Sequence, residues 1–158
     1  MSLYRRILVP VDDSSAAQAG LSAAIALAQD QQATLKLVAV ANEAIKNYAG
    51  GELGWIEPQG MGERIKSDSE ASLDKAEQQA VAAGLTPERE LIVAPDGHVG
   101  RHIVQAAEAW KADLIVIGTH GRQGLSLWLA GSTTETLLHG LNIPLLVIPG
   151  KQVEEADV

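Results

Sequence analysis

Glycines, hydroxyls and single acids at the ends of apolar runs are the residues here best suited to chemistry. Gly118, Gly121, Gly124 and Gly131 punctuate the stretch after the apolar run Leu114–Ile117, and Ser132-Thr133-Thr134-Glu135 follows at once. Ser-x-x-Glu is a capping box, so a helix is expected to start there. A helix start presents unpaired N–H groups and the positive end of the helix dipole, both of which attract anions. Glycines before it let the backbone come close to a phosphate, and Ser132, Thr133 and Thr134 add hydroxyl donors. The combination predicts a phosphate cradle. The plainer alternative is a strand–loop–helix connection in which the glycines serve turns and Ser132 only caps.

Chemistry beyond binding has few candidates. There is no Gly-x4-Gly-Lys-Ser/Thr, hence no lysine placed to bridge β- and γ-phosphates. Arg122 is the nearest cation, either stabilising phosphate charge or standing solvated. His120 is the one titratable group in the loop suited to act as a base, and packing or stacking on a ligand competes with that role. Asp12 ends the first apolar run, Ile7–Val11, and either caps the following helix or contacts a ligand. His98 and His102 stand at i, i+4, a chelating spacing, but no nearby Glu or further His completes a metal set.

These residues need elements to hold them. Ile7–Val11, Leu35–Ala41, Leu91–Ala94, Leu114–Ile117 and Leu145–Ile148 read as strands, short and apolar as buried parallel strands are. Between them, Leu21, Ala24, Ile25 and Ala28 mark one amphipathic helix. Ile65, Ser69, Leu73, Ala76, Ala80 and Ala83 mark a second over Glu63–Ala83, with Gly84 as its stop. Val99, Ile103, Ala106, Ala107 and Trp110 mark a third, and Ser132 begins a fourth. Alternating strands and helices make a doubly wound α/β fold, a parallel sheet with helices on both faces. Asn42–Gly62, glycine-rich and without period, reads as a long loop of functional character.

Composition narrows the partners. The chain has 158 residues, 46% of them hydrophobic, enough for one domain with a substantial core over 1–150 and a short acidic tail at 151–158. A net charge of −8 disfavours nucleic acid and anionic membrane surfaces. Without cysteine there is no disulfide or thiol chemistry. No apolar run is long enough to span a membrane or to serve as a signal peptide, so a cytoplasmic location is expected.

Gly118-x2-Gly121-x9-Gly131-Ser132 resembles the nucleotide-binding signature of the universal stress protein family. Ile7-Leu8-Val9-Pro10-Val11-Asp12 resembles that family's first strand with its terminal Asp, and Ile143-Pro144-Leu145-Leu146-Val147-Ile148 its last strand. The likeness covers roughly residues 4 to 149. It implies a five-stranded sheet in the order 3-2-1-4-5, which alternation alone does not fix. It also implies binding of ATP, or another adenine nucleotide, with Mg or Mn on the phosphates. Gly118, Gly121, Gly131, Ser132 and Thr134 would then hold the phosphates, with Thr133 and, from the loop, His120 and Arg122 beside them. Pro10 and Val11 would line the adenine pocket, the backbone of Val40 would meet the base, and Asp12 would contact ribose or metal. The resemblance further implies a homodimer through the edge strand Leu145–Ile148, its members acting as regulators. A slow ATPase or phosphotransferase, and an interaction module controlling a transporter or enzyme, are the alternative functions.

Overall fold

A computed structural model describes residues 2–44, 60–119 and 141–150. Five strands form one sheet in the order β3-β2-β1-β4-β5, and every pairing is parallel. The strands are β1 (Arg6–Pro10), β2 (Thr34–Asn42), β3 (Glu88–Ala94), β4 (Leu114–Thr119) and β5 (Leu145–Pro149). Three helices are described between them: α1 (Ser15–Gln31), α2 (Met61–Ala82) and α3 (Val99–Trp110). The helix expected from Ser132 lies outside the described residues.

Strand alternation sorts the core into two layers. Ile7, Val9, Leu35, Leu37, Leu114 and Val116 point to one face and meet Leu21, Ala24 and Ile25 of α1 with Leu73, Ala76 and Ala80 of α2. Leu8, Val38, Ile115 and Ile117 point to the other face and meet Ile103, Ala107 and Trp110 of α3. Successive side chains of a strand face opposite ways, so a strand covered on both faces must be apolar throughout. Winding from β1 through α1 to β2, and on through α2 to β3, puts both helices on one face. The chain then crosses to the other side of β1, and α3 takes the opposite face.

Element ends follow from capping. Ser14 is the N-cap of α1, its hydroxyl accepting from the Ala17 amide at 3.1 Å. Gly84, at φ +89°, closes α2 as expected: its amide bonds Val81 O at 2.9 Å and the Leu85 amide bonds Ala80 O at 3.0 Å. These are the two bonds of a Schellman motif, which glycine enters without a Cβ penalty. The helix starts at Met61, so Met61 and Gly62 are helical and Asn42 ends β2, which shortens the expected loop at both ends. Strand β3 begins three residues earlier than its apolar run. Lys36 stands opposite Glu88 in the ladder and pairs with Glu90 at 2.8 Å, so these charged residues extend an edge strand.

The amino ends of the strands are clamped together. The Asp113 carboxylate accepts from the amides of Arg5 (2.9 Å) and Arg6 (3.0 Å). The Arg6 guanidinium lies 4.1 Å from the Trp110 ring centre and donates to Trp110 O at 2.9 Å. These contacts tie the amino ends of β1 and β4 to each other and to the end of α3.

Candidate functional site

Strands β1 and β4 are neighbours that part company. Their ladder comprises Ile7↔Leu114 and Leu8↔Ile115. Beyond it β1 stays with β2 as far as Pro10↔Val38, and the Val11 amide donates to Val38 O at 2.8 Å. Strand β4 stays with β5 as far as Thr119↔Pro149. Pro10 has no N–H to offer a ladder. The separation opens at the carboxyl ends of the two strands where the winding reverses, the place where open α/β sheets take ligands.

Asp12 and the start of α1 form one wall. The Asp12 Oδ1 accepts from the Ser14 amide at 2.7 Å, shaping the turn that delivers Ser14 to its cap. The helix is therefore capped by Ser14, with Asp12 two residues before it and exposed. Between this turn and α2 lies a cleft of about 290 Å³ lined by Val11, Asp12, Ser14, Gln18, Ser72 and Lys75 among others. Lys75 supplies a cation on the same cleft as the Asp12 carboxylate. Its helical period gave no hint of this, because the approach of α2 to α1 is a tertiary fact.

Gly118, near the end of β4, packs directly on α1, and its reason for being glycine is steric. A Cβ on Gly118 would overlap the carbonyl of Ala16, and one on Gly20 would lie 2.7 Å from the Gly118 nitrogen. The φ of Gly118 is not in the left-handed region. What it needs is contact with the backbone of α1. Gly20 was missed in the sequence, although a glycine inside a helical period asks for a packing reason.

Val40 lies in β2 opposite Ile92, partly buried against the α3 layer. The strand's exit is tied to the β3–α3 turn: the Glu43 amide bonds Ala94 O at 3.1 Å, and Gly97, at φ +77°, sits against Ala44 and Asn42. In that turn Asp96 Oδ1 accepts from the His98 amide at 3.0 Å and meets His102 Nε2 at 3.1 Å. These bonds hold the Asp96 carboxyl below the usual range, the His98 amide acting first and His102 after it. The two histidines thus serve Asp96, and among the described residues no group of three or more His, Cys, Asp or Glu is placed to hold a metal.

Pro10, Val11, Asp12, Val40 and Gly118 therefore all sit at the carboxyl end of the sheet. His120, Gly121, Arg122, Gly131, Ser132, Thr133 and Thr134 lie outside the described residues.

A five-stranded, doubly wound parallel sheet with its switch point between β1 and β4 defines an α/β protein of this topology. The Universal stress protein family model matches residues 3–149, and the chain belongs to that family. Universal stress protein MJ0531 of Methanocaldococcus jannaschii is 30% identical over 149 residues, 93% of this chain and 83% of its own. The crystal structure of a universal stress protein family member from Burkholderia pseudomallei, 28% identical, superposes with a TM-score of 0.72 over 95% of this chain and 99% of its own. Two further relatives share the fold and were solved with adenine nucleotides. One is a universal stress protein in complex with cAMP (22% identical, TM-score 0.61, 93% of this chain and 98% of its own). The other is that from Archaeoglobus fulgidus in complex with dAMP (20%, 0.65, 92% and 99%).

Proposed function

We propose that this chain binds an adenine nucleotide, ATP in the first instance, and acts as a cytoplasmic regulatory homodimer whose output is a change of shape or partner. The observation that carries this reading is the parting of β1 and β4. It leaves Asp12 just past the carboxyl end of β1 and Gly118 near that of the neighbouring β4, and Gly118 is the first residue of Gly118-x2-Gly121-x9-Gly131-Ser132. In this reading Gly121, Gly131, Ser132, Thr133 and Thr134 hold the phosphates, and His120 and Arg122 flank them. Pro10, Val11 and the backbone of Val40 meet the base. Family members solved with cAMP and dAMP support the class of ligand.

The donors present suit Mg or Mn bound through the nucleotide. Such ions take oxygen ligands, keep several waters and use one or two carboxylates with the phosphates. Asp12 offers an exposed carboxylate there, so the ion would arrive with the phosphates and take Asp12 as a protein ligand. The ion would neutralise phosphate charge, which matters in a chain whose net charge is −8.

Homodimer formation is assigned to β5. It is an edge strand, and Leu146 and Val147 are 40% and 38% exposed on it. Unpaired backbone groups with apolar side chains on an edge invite strand addition.

The test is to denature freshly purified protein with acid and run the supernatant by anion exchange beside nucleotide standards. Near-stoichiometric ATP is expected. Recovered ADP would indicate hydrolysis, and a protein that is empty and also fails to bind ATP with magnesium would overturn the reading.

A further inference from the structure

We infer that Gly20, in the interior of α1, is a positioning residue for the start of the phosphate-binding loop; this rests on the nucleotide reading of that loop. The inner face of α1 runs Ala16, Gly20, Ala24, Ala28, all buried. Ala24 and Ala28 are wholly covered, so alanine fits the helix–sheet gap at those two turns. At Gly20 it does not. A Cβ there would stand 2.7 Å from Gly118 N, 3.2 Å from Ile117 C and 3.3 Å from Gly118 Cα, all backbone atoms without a flexible end to swing aside.

Glycine in a helix interior costs stability relative to alanine. That cost is borne at a turn facing Gly118, the last residue but one of β4. Gly118 answers from the other side, since its own Cβ would overlap Ala16 O. The helix cannot drift to make room, because Ala16, Leu21 and Ile25 are buried to 4%, 3% and 6% exposure against the sheet. Nor can the strand, because Val116 and Ile117 are buried to 0% and 2%. Two fixed backbones in direct contact set the height of Gly118 above α1, near the end of β4. Gly20 touches no ligand in this arrangement; it acts through Gly118.

The experiment measures ATP–Mg binding by calorimetry for the wild type and Gly20→Ala, at a temperature where circular dichroism shows both folded. Backbone resonances of Gly118 are recorded for each. The variant is expected to bind about tenfold more weakly or worse, the scale of one misplaced hydrogen-bond set, with the Gly118 amide shifted before ligand is added. Equal affinity in wild type and a folded variant overturns the inference and leaves the nucleotide reading intact. A wild type that binds no adenine nucleotide overturns both.

Should Gly20→Ala not fold, hydrogen exchange on the wild type decides. ATP is expected to slow exchange at Gly118 and at amides 18–21 of α1, and to leave 103–107 of α3 unchanged. Slowing at Gly118 with none in α1 overturns the inference.

Discussion

Gly20 of α1 and Gly118 of β4 meet backbone to backbone, with no side chain between them. Gly118→Ala is therefore expected to destabilise the fold as well as the site. Inserting a methyl into a packed interior typically costs about 1–3 kcal/mol, and here the methyl would meet a carbonyl oxygen. Urea unfolding measures it: a midpoint equal to wild type would show that the two elements separate easily.

Gln32 gives the opposite expectation. It is exposed and closes α1 at φ +55°, a left-handed conformation that favours glycine. Replacing it with glycine should raise stability by roughly 0.5–1 kcal/mol. The gain reads as a higher denaturant midpoint with unchanged slope.

Asp96 titrates below its ordinary value in the folded chain. A depressed carboxylate contributes stability above its unfolded pKa and loses it as pH falls through the folded one. Wild type should thus exceed Asp96→Ala in stability at neutral pH, and the gap should close in acid, below pH ~4. Parallel unfolding curves from pH 7 to pH 2.5 check this; a gap that persists in acid would point to the backbone of the turn.

Arg89 of β3 holds three carboxylates of α2: Asp74 and Glu77, each at 2.8 Å, and Glu70 at 3.2 Å. Its guanidinium is pushed further up by the bonds to Asp74 and Glu77. Arg89→Met leaves three acids repelling one another across a largely solvated surface. A loss of about 1–2 kcal/mol is expected at low ionic strength, shrinking in 1 M salt. Loss independent of salt would assign the effect to packing of the arginine stem.

Leu146→Lys puts a charge on β5 where the homodimer is proposed to form. Light scattering on a sizing column should show a monomer where the wild type shows a dimer, with the circular dichroism unchanged. A dimeric variant would move the interface elsewhere.

The fold was legible because parallel strands covered on both faces are continuous apolar runs. Ile7–Val11 and Leu114–Ile117 announced themselves by composition, and α1 and α3 by their period. The first half of β3 was not legible. Glu88, Arg89 and Glu90 look like loop, and the partners that engage them, Trp110, the acids of α2 and Lys36, are distant in sequence. At the candidate site, the positions of Asp12 and Gly118 at strand ends were legible from the apolar runs that precede them. Lys75 and Gly20 were not, since what matters about each is a partner distant in sequence.

The two rims of the sheet differ in character. Along β3 run Glu88, Arg89 and Glu90, charged and engaged with their own chain; along β5 run Leu146 and Val147, uncharged and open. In the proposed homodimer an incoming copy would have one rim to join and would present the same rim in return. Each copy would then have only its charged rim left facing outward. Growth would stop at a closed pair of ten strands, and the endless stacking that two adhesive rims would permit would have no next step.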